Sequence, residues 1–387
     1  MLSSVELSVI GAVAAALFAA AVVAFITTPV VRSLAFKVGA VDVPRDNRRM
    51  HKHPIPRMGG LAIFFGFILS ALIFIPLTTP LRGMLLGAVV IVILGIFDDI
   101  YALPAMPKFL IQILAALIAV LMGNRIDILS NPNIFSSDPY WVLGWLSIPI
   151  SVIWIVGITN AVNLIDGLDG LACGVSTISS MTMLVIALTV AEPDVALLMA
   201  ALSGGCIGFL PYNLNPAKIF MGDTGSTFLG FILAVVSIQG LFKSYAIISF
   251  AVPFLMLGLP IFDTCFAIFR RVSHGQSPMA PDRGHIHHRL IDMGFSQKQA
   301  VAVLYVISAI LGLSAVVLTT NNAMKAMLFL LALCMAGAFG GRLYLSHSDS
   351  GGSGAAGEAK GRQHRPPSKT QIAGNDNFFG EEDRSDK

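Results

Sequence analysis

Long apolar runs separated by short polar breaks dominate the chain, near residues 7–27, 60–77, 82–97, 107–122, 144–162, 171–190, 195–212, 225–241, 246–269, 299–319 and 324–345. Each approaches the roughly 20 residues that a helix needs to cross about 30 Å of hydrocarbon. Helices satisfy their own backbone groups where water is absent, so they are the spanning structure these runs imply. The pattern predicts an all-α polytopic membrane protein of about eleven transmembrane helices. The first run has no basic residue ahead of it and exceeds a signal-peptide core in length, so it reads as a retained span.

Composition agrees, because 55% hydrophobic and 12% charged residues leave more apolar surface than a soluble chain of 387 residues can bury. The distribution of charge matters more than the net +3. Arg32, Lys37, Arg45, Arg48, Arg49, Lys52 and Arg57 follow the first span, and Arg270, Arg271, Arg283, Arg289 and Lys298 follow the ninth. The opposite loops carry Arg82, Arg125, Lys243 and Lys325. The positive-inside rule then places the N-terminus outside and the C-terminus in the cytoplasm. Residues 1–345 read as the transmembrane domain, and the Gly-, Ser- and charge-rich 346–387 as a disordered cytoplasmic tail. The outer loop from Gly123 to Leu143 has room for a short hairpin. Four cysteines lie singly within apolar runs and suit small core positions.

With this topology most acidic residues ahead of the tail fall on the cytoplasmic side, where carboxylates at helix ends require a cation or water. Asp98 and Asp99 close the run ending at Phe97. A helix C-terminus is itself partly negative, so the pair implies a metal or a lysine; Lys108 is the nearest protein cation, and Mg²⁺ suits an all-oxygen site that holds phosphates. Asn160, Asn163, Asp166 and Asp169 recur every three residues, a spacing that shares one face of a helical turn, while Gly167 and Gly170 permit close approach of a bulky ligand. Met221-Gly-Asp223-Thr-Gly-Ser226 precedes an apolar run. There Asp223 or Thr224 can cap a helix, and Asp223 can also hold a divalent ion near a diphosphate. The loop Arg283-Gly-His285-Ile-His287-His288-Arg289 offers donors for phosphate oxygens, whereas a structural zinc site needs four ligands and finds no cysteine here. The proline-rich, basic stretch from Asp42 to Gly60 serves topology or holds a lipid phosphate at headgroup level.

Taken in order, Asp98-Asp99, Asn160 to Gly170, Met221 to Ser226 and the histidine loop resemble the polyprenyl-phosphate N-acetylhexosamine-1-phosphate transferases, glycosyltransferase family 4. The resemblance covers about Asp42 to Phe295. One branch of that family carries three consecutive histidines followed by Phe-Glu; His285-Ile-His287-His288-Arg289, with Pro260-Ile-Phe-Asp263-Thr264 ahead of it, looks like the branch that uses UDP-N-acetylglucosamine and undecaprenyl phosphate. The resemblance implies Mg²⁺, with Mn²⁺ as a substitute, held by Asp223 and Asn163, with Asp98 and Asp99 beside it; Asp98, Asp99, Asp166 and Asp169 are the catalytic candidates, Asp98 as a candidate base. It further implies that Asp166, Asp169 and Asn213 contact nucleotide or order the site, with Asn160 and Lys108 on the substrate side. Arg283, His285, His287, His288 and Arg289 would then meet the diphosphate or sugar. The implied partners are undecaprenyl phosphate, a UDP-N-acetylhexosamine, membrane lipid and a second copy of the chain, with no nucleic acid. The implied setting is a bacterial inner membrane with the site on its cytoplasmic side. A transporter of an anionic solute is the alternative from another class; its site belongs near the bilayer midplane between repeated halves, and no internal repeat is present.

Overall fold

The structure, a computed structural model, describes residues 4–43, 53–130, 140–240, 251–277 and 284–319. In chain order the helices are α1 Ser4–Val38, α2 Gly60–Phe74, α3 Thr79–Tyr101, α4 Ala105–Leu121, α5 Ser147–Leu164, α6 Leu171–Thr189, α7 Pro193–Asn213, α8 Gly222–Gly240, α9 Ala251–Met256, α10 Gly258–Ser273, α11 Ile286–Asp292 and α12 Gln297–Thr319. Two small antiparallel ribbons accompany them, β1 Val41–Asp42 with β2 Ile55–Pro56, and β3 Ile128–Ser130 with β4 Tyr140–Val142. The second ribbon is the hairpin expected in the outer loop.

Among the described residues six helices are long and apolar enough to cross a membrane, and α2 and α4 are shorter apolar helices. Large apolar side chains stay exposed around the bundle, including Phe18, Val30, Ile153 and Phe269. Such a surface needs lipid as its solvent. The chain is therefore a multi-pass membrane protein. The expected eleventh span, 324–345, and the tail 346–387 lie outside the described residues.

Three sequence expectations change. The first helix continues past residue 27 to Val38 and so carries Arg32 and Lys37, which were assigned to a loop. It runs through Pro29, which has no N–H to give to the Phe25 carbonyl one turn back, and the hydroxyls of Thr27 and Thr28 donate to the neighbouring carbonyls of Val23 and Ala24. The run 246–269 is not one helix: its described part breaks at Leu257 into α9 and α10. Finally, α5 ends at Leu164, so Asp166 and Asp169 stand in a turn and do not share a helical face with Asn160 and Asn163. Gly167 and Gly170 explain the stop, since two poor helix formers in four residues end the ladder, and Gly170 takes φ +77° to start α6.

Helix α8 is the post at the centre. Every residue from Thr224 to Ile238 is buried, as expected for a helix that is apolar all round. It packs against α2, α3, α5, α6 and α7. Phe228 meets Phe64 and Phe67 of α2 edge-on at 5.5 and 5.6 Å. Its first turn crosses the start of α2 so closely that a Cβ on Gly60 would strike the Gly225 backbone. The contact fixes the N-terminus of α8, and Asp223 with it, against α2 and α3.

Candidate active site

Alternating helix directions bring one set of ends together: the C-termini of α3, α5 and α7 and the N-termini of α4, α6, α8 and α12. Side-chain bonds across these ends show that they meet. Lys108 Nζ of α4 donates to Asp98 Oδ2 of α3 at 2.8 Å and to Asp223 Oδ2 of α8 at 3.2 Å. The protein cation expected beside Asp98 is thus Lys108, shared with Asp223 and not with Asp99. Asp98 is only 7% exposed, and its other oxygen accepts from the Leu103 N–H at 2.7 Å. Both oxygens are occupied, which leaves Asp98 poorly placed as a base.

Asp99 faces away from Lys108. Its Oδ1 accepts the Asp223 N–H at 2.9 Å, and its Oδ2 accepts the Thr224 N–H at 3.1 Å and the Thr224 hydroxyl at 2.6 Å. The expected cap on α8 exists, but α3 supplies it. A carboxylate at a helix N-terminus satisfies orphan donors and complements the helix dipole, so Asp99 holds the turn that presents Asp223.

A cavity of about 840 Å³ opens beside this turn. Asn163, Asp166, Asp169, Asn213, Asp223 and His288 line it, all of them expected site residues. Asn163 Oδ1 accepts from the Ser226 hydroxyl at 2.6 Å. Burial, then the carboxylates of Asp223 and Asp99, push the Asp166 carboxyl up to about 8. A cation bound beside Asp166 would favour its ionised form, which burial and the neighbouring carboxylates disfavour. Asp169 Oδ2 is engaged by the Asn215 amide at 2.9 Å and the Ala217 N–H at 3.0 Å.

Other expected residues stand behind the wall. Asn160 binds Gln112 Oε1 at 2.7 Å and the Val156 carbonyl at 2.8 Å, with neither partner on the cavity. His285 and His287 are buried, at 5% and 3% exposure, while Arg289 is exposed and does not line the cavity. Arg283 lies outside the described residues. Asp263 of α10 accepts from both His285 Nδ1 and the Ile286 N–H at 2.8 Å, which orients the histidine arm. The rings of His285 and His287 lie 10° from parallel, and His287 packs against Gly167, where any Cβ would strike its Nε2. Burial and then the neighbouring His288 hold His287 down to about 4, so it stays neutral.

Several cavity residues were missed as site residues. Arg32 of α1, His53 and Arg57 beside β2, and Lys218 line it together with the acids. The sequence marks Arg32 as a topology signal only, and Arg57 as part of a stretch that serves topology or holds a lipid phosphate. Nothing local marks Asn215 and Gln297, which also line the cavity.

The donors that reach the cavity suit a hard cation: two carboxylates, Asp166 and Asp223, and the Asn163 amide oxygen. Among the described residues no three His, Cys, Asp or Glu side chains converge into a complete cage. A partial oxygen set fits Mg²⁺, which keeps waters and takes one or two carboxylates plus substrate phosphates.

Residues 81–241 match the family model described as glycosyl transferase family 4. The chain is 48% identical to a probable undecaprenyl-phosphate N-acetylglucosaminyl 1-phosphate transferase of Bacillus subtilis (strain 168), over 76% of its own length and 81% of that protein. It is 36% identical to the decaprenyl-phosphate N-acetylglucosaminephosphotransferase of Mycolicibacterium smegmatis, covering 74% and 77% of the two chains. A phospho-N-acetylmuramoyl-pentapeptide-transferase of Staphylococcus aureus (strain JH9) is 32% identical over 68% and 85%.

Proposed function

Because the chain belongs to glycosyl transferase family 4, we propose that it transfers N-acetylglucosamine 1-phosphate from its UDP derivative to undecaprenyl phosphate. The reaction releases UMP and leaves the sugar on the lipid through a diphosphate, the first step of a lipid-linked envelope glycan. The observation that carries this reading is one cavity at the ends of apolar helices that is lined by Asp166, Asp169 and Asp223 together with Arg32, Arg57 and Lys218. A transporter site near the midplane between repeats would look different.

Two polyanions must meet, so charge management dominates the reaction. Arg32, Arg57, Lys218 and His288 line the cavity and donate to phosphate oxygens. Asp223 and Asn163, with Asp166 beside them, would hold Mg²⁺, which when bound neutralises the diphosphate and polarises the phosphorus under attack. Lys108 keeps Asp223 aimed by bonding it and Asp98 together, and Asp99 fixes the turn from below. An oxygen of the lipid phosphate forms a bond to the β-phosphorus as the bond to the UMP oxygen breaks. A phosphate monoester, with its second pKa near 6, is mostly dianionic at neutral pH and needs no base. The site belongs on the cytoplasmic side of a bacterial inner membrane, where the basic segments of the chain also collect.

The test is to incubate purified protein with undecaprenyl phosphate, Mg²⁺ and a panel of UDP-sugars while following UMP and lipid-linked product. UMP release with UDP-N-acetylglucosamine that depends on both lipid and metal is expected. Turnover of none of the UDP-N-acetylhexosamines would overturn the reading.

A further inference from the structure

The loop from Leu214 to Phe220, between α7 and α8, carries Lys218 to the cavity. It is stapled to the elements around it. Arg32 Nε donates to the Lys218 carbonyl at 3.1 Å, Asn213 to the Ile219 carbonyl at 3.1 Å, and the Phe220 N–H to the Pro56 carbonyl at 2.8 Å. Asn215 does something different. Its Nδ2 donates to Asp169 Oδ2 at 2.9 Å, in the turn between α5 and α6, and to Gln297 Oε1 at 2.7 Å, at the start of α12. Those partners are 46 and 82 residues away in the chain.

A primary amide has two N–H groups on one nitrogen, so it can sit between two acceptors where a hydroxyl or a carboxylate cannot. The bond to Asp169 is charge-assisted. The same Asp169 oxygen also takes the Ala217 N–H, so Oδ2 is held by the loop while Asp169 still lines the cavity. Gln297 is separated from α11 by only a short turn, and it lines the cavity together with His288. We infer that Asn215 is a positioning residue: by bonding Asp169 and Gln297 together it ties the Lys218 wall to the histidine arm and sets the width of the cavity between them.

The kinetic arm of the test rests on the transferase reading above; the exchange arm does not. Asn215→Asp places a carboxylate against Asp169 and should raise KM for UDP-N-acetylglucosamine about tenfold or more, with kcat changed much less. Gln297→Ala, which removes the second acceptor, should raise KM as well. The double variant N215A/Q297A breaks the same bridge and should be no worse than the poorer single variant. KM losses that multiply in the double variant would mean that Asn215 and Gln297 act separately, which overturns the inference. Independently, hydrogen exchange of Asn215→Ala should speed up in residues 214–221 and 284–297 together. Acceleration confined to the first segment, or none, overturns the bridge whatever the activity. A parent protein inactive with every UDP-sugar would instead overturn the transferase reading and leave the exchange result standing.

Discussion

The two sides of the cavity are built differently. The carboxylate corner, where α3, α4 and α8 meet, is held by helix ends that bond one another directly: Lys108 between Asp98 and Asp223, and Asp99 across the first turn of α8. The histidine arm is a seven-residue helix, α11, attached through Asp263, the Gly167 contact and the Asn215 bridge. One side is an acidic seat of directly bonded helix ends, and the other is a docked histidine arm. The difference suits a site that must place a metal accurately yet admit and release a sugar nucleotide, because the elements that move come from the less stable parts of a fold.

Substitutions at the seat should hurt most. Asp223→Asn is expected to lower kcat by about a thousand-fold at saturating substrates, the scale of losing a transition-state electrostatic group, with overall stability little changed. UMP release checks the first part and thermal melting the second. Lys108→Ala leaves Asp98 and Asp223 facing each other without their cation, and a fall of about a hundredfold in kcat/KM is expected. If excess Mg²⁺ restored full activity, the lysine would only be standing in for metal.

Asp99→Asn tests the seat as architecture. An amide there turns one donor toward the N–H groups of Asp223 and Thr224, so about 1–3 kcal/mol of stability should be lost along with activity. Unchanged melting would place Asp99 among the reacting groups instead.

On the arm, Gly167→Ala pushes His287 from its seat. The expected outcome is a KM for the sugar nucleotide raised about tenfold with the carboxylate corner intact, read as unchanged hydrogen exchange around residues 222–226. The smallest effect concerns pH. His287 is held at about 4 when docked, below its ordinary 6.5, so the undocked state binds the proton more readily. Docking is therefore fully stable above about pH 6.5 and weakens as pH falls toward 4, by about 2 kcal/mol at pH 5. Once the intrinsic pH dependence of amide exchange is divided out, protection of residues 284–292 should fall between pH 7 and 5, and His287→Phe should flatten that fall.

Much of the site was legible because its acids stand where apolar runs stop. Asp98, Asp166 and Asp223 are conspicuous beside runs rich in Leu, Ile, Val and Phe, and the histidine arm stands out by composition. Asp99 was legible only as a partner of Asp98; its bonds to α8 reach over 124 and 125 residues, and no spacing encodes them. Arg32 was taken for a loop cation because the helix that carries it outlasts its apolar run. Asn215 and Gln297 look like ordinary loop and capping residues until the chain brings them together.

Hydrophobic periodicity and charge asymmetry, both local properties, determined by themselves the helical membrane class, most helix positions and the gathering of polar chemistry between particular spans. Only the packed bundle decided which carboxylate meets the lysine, which one caps α8, and which cations line a cavity with the acids. Those pairings depend on how closely α2, α3 and α8 can approach through Gly60, Gly95 and Gly225. That clearance is set jointly by helices far apart in the chain, so no single stretch of sequence contains it.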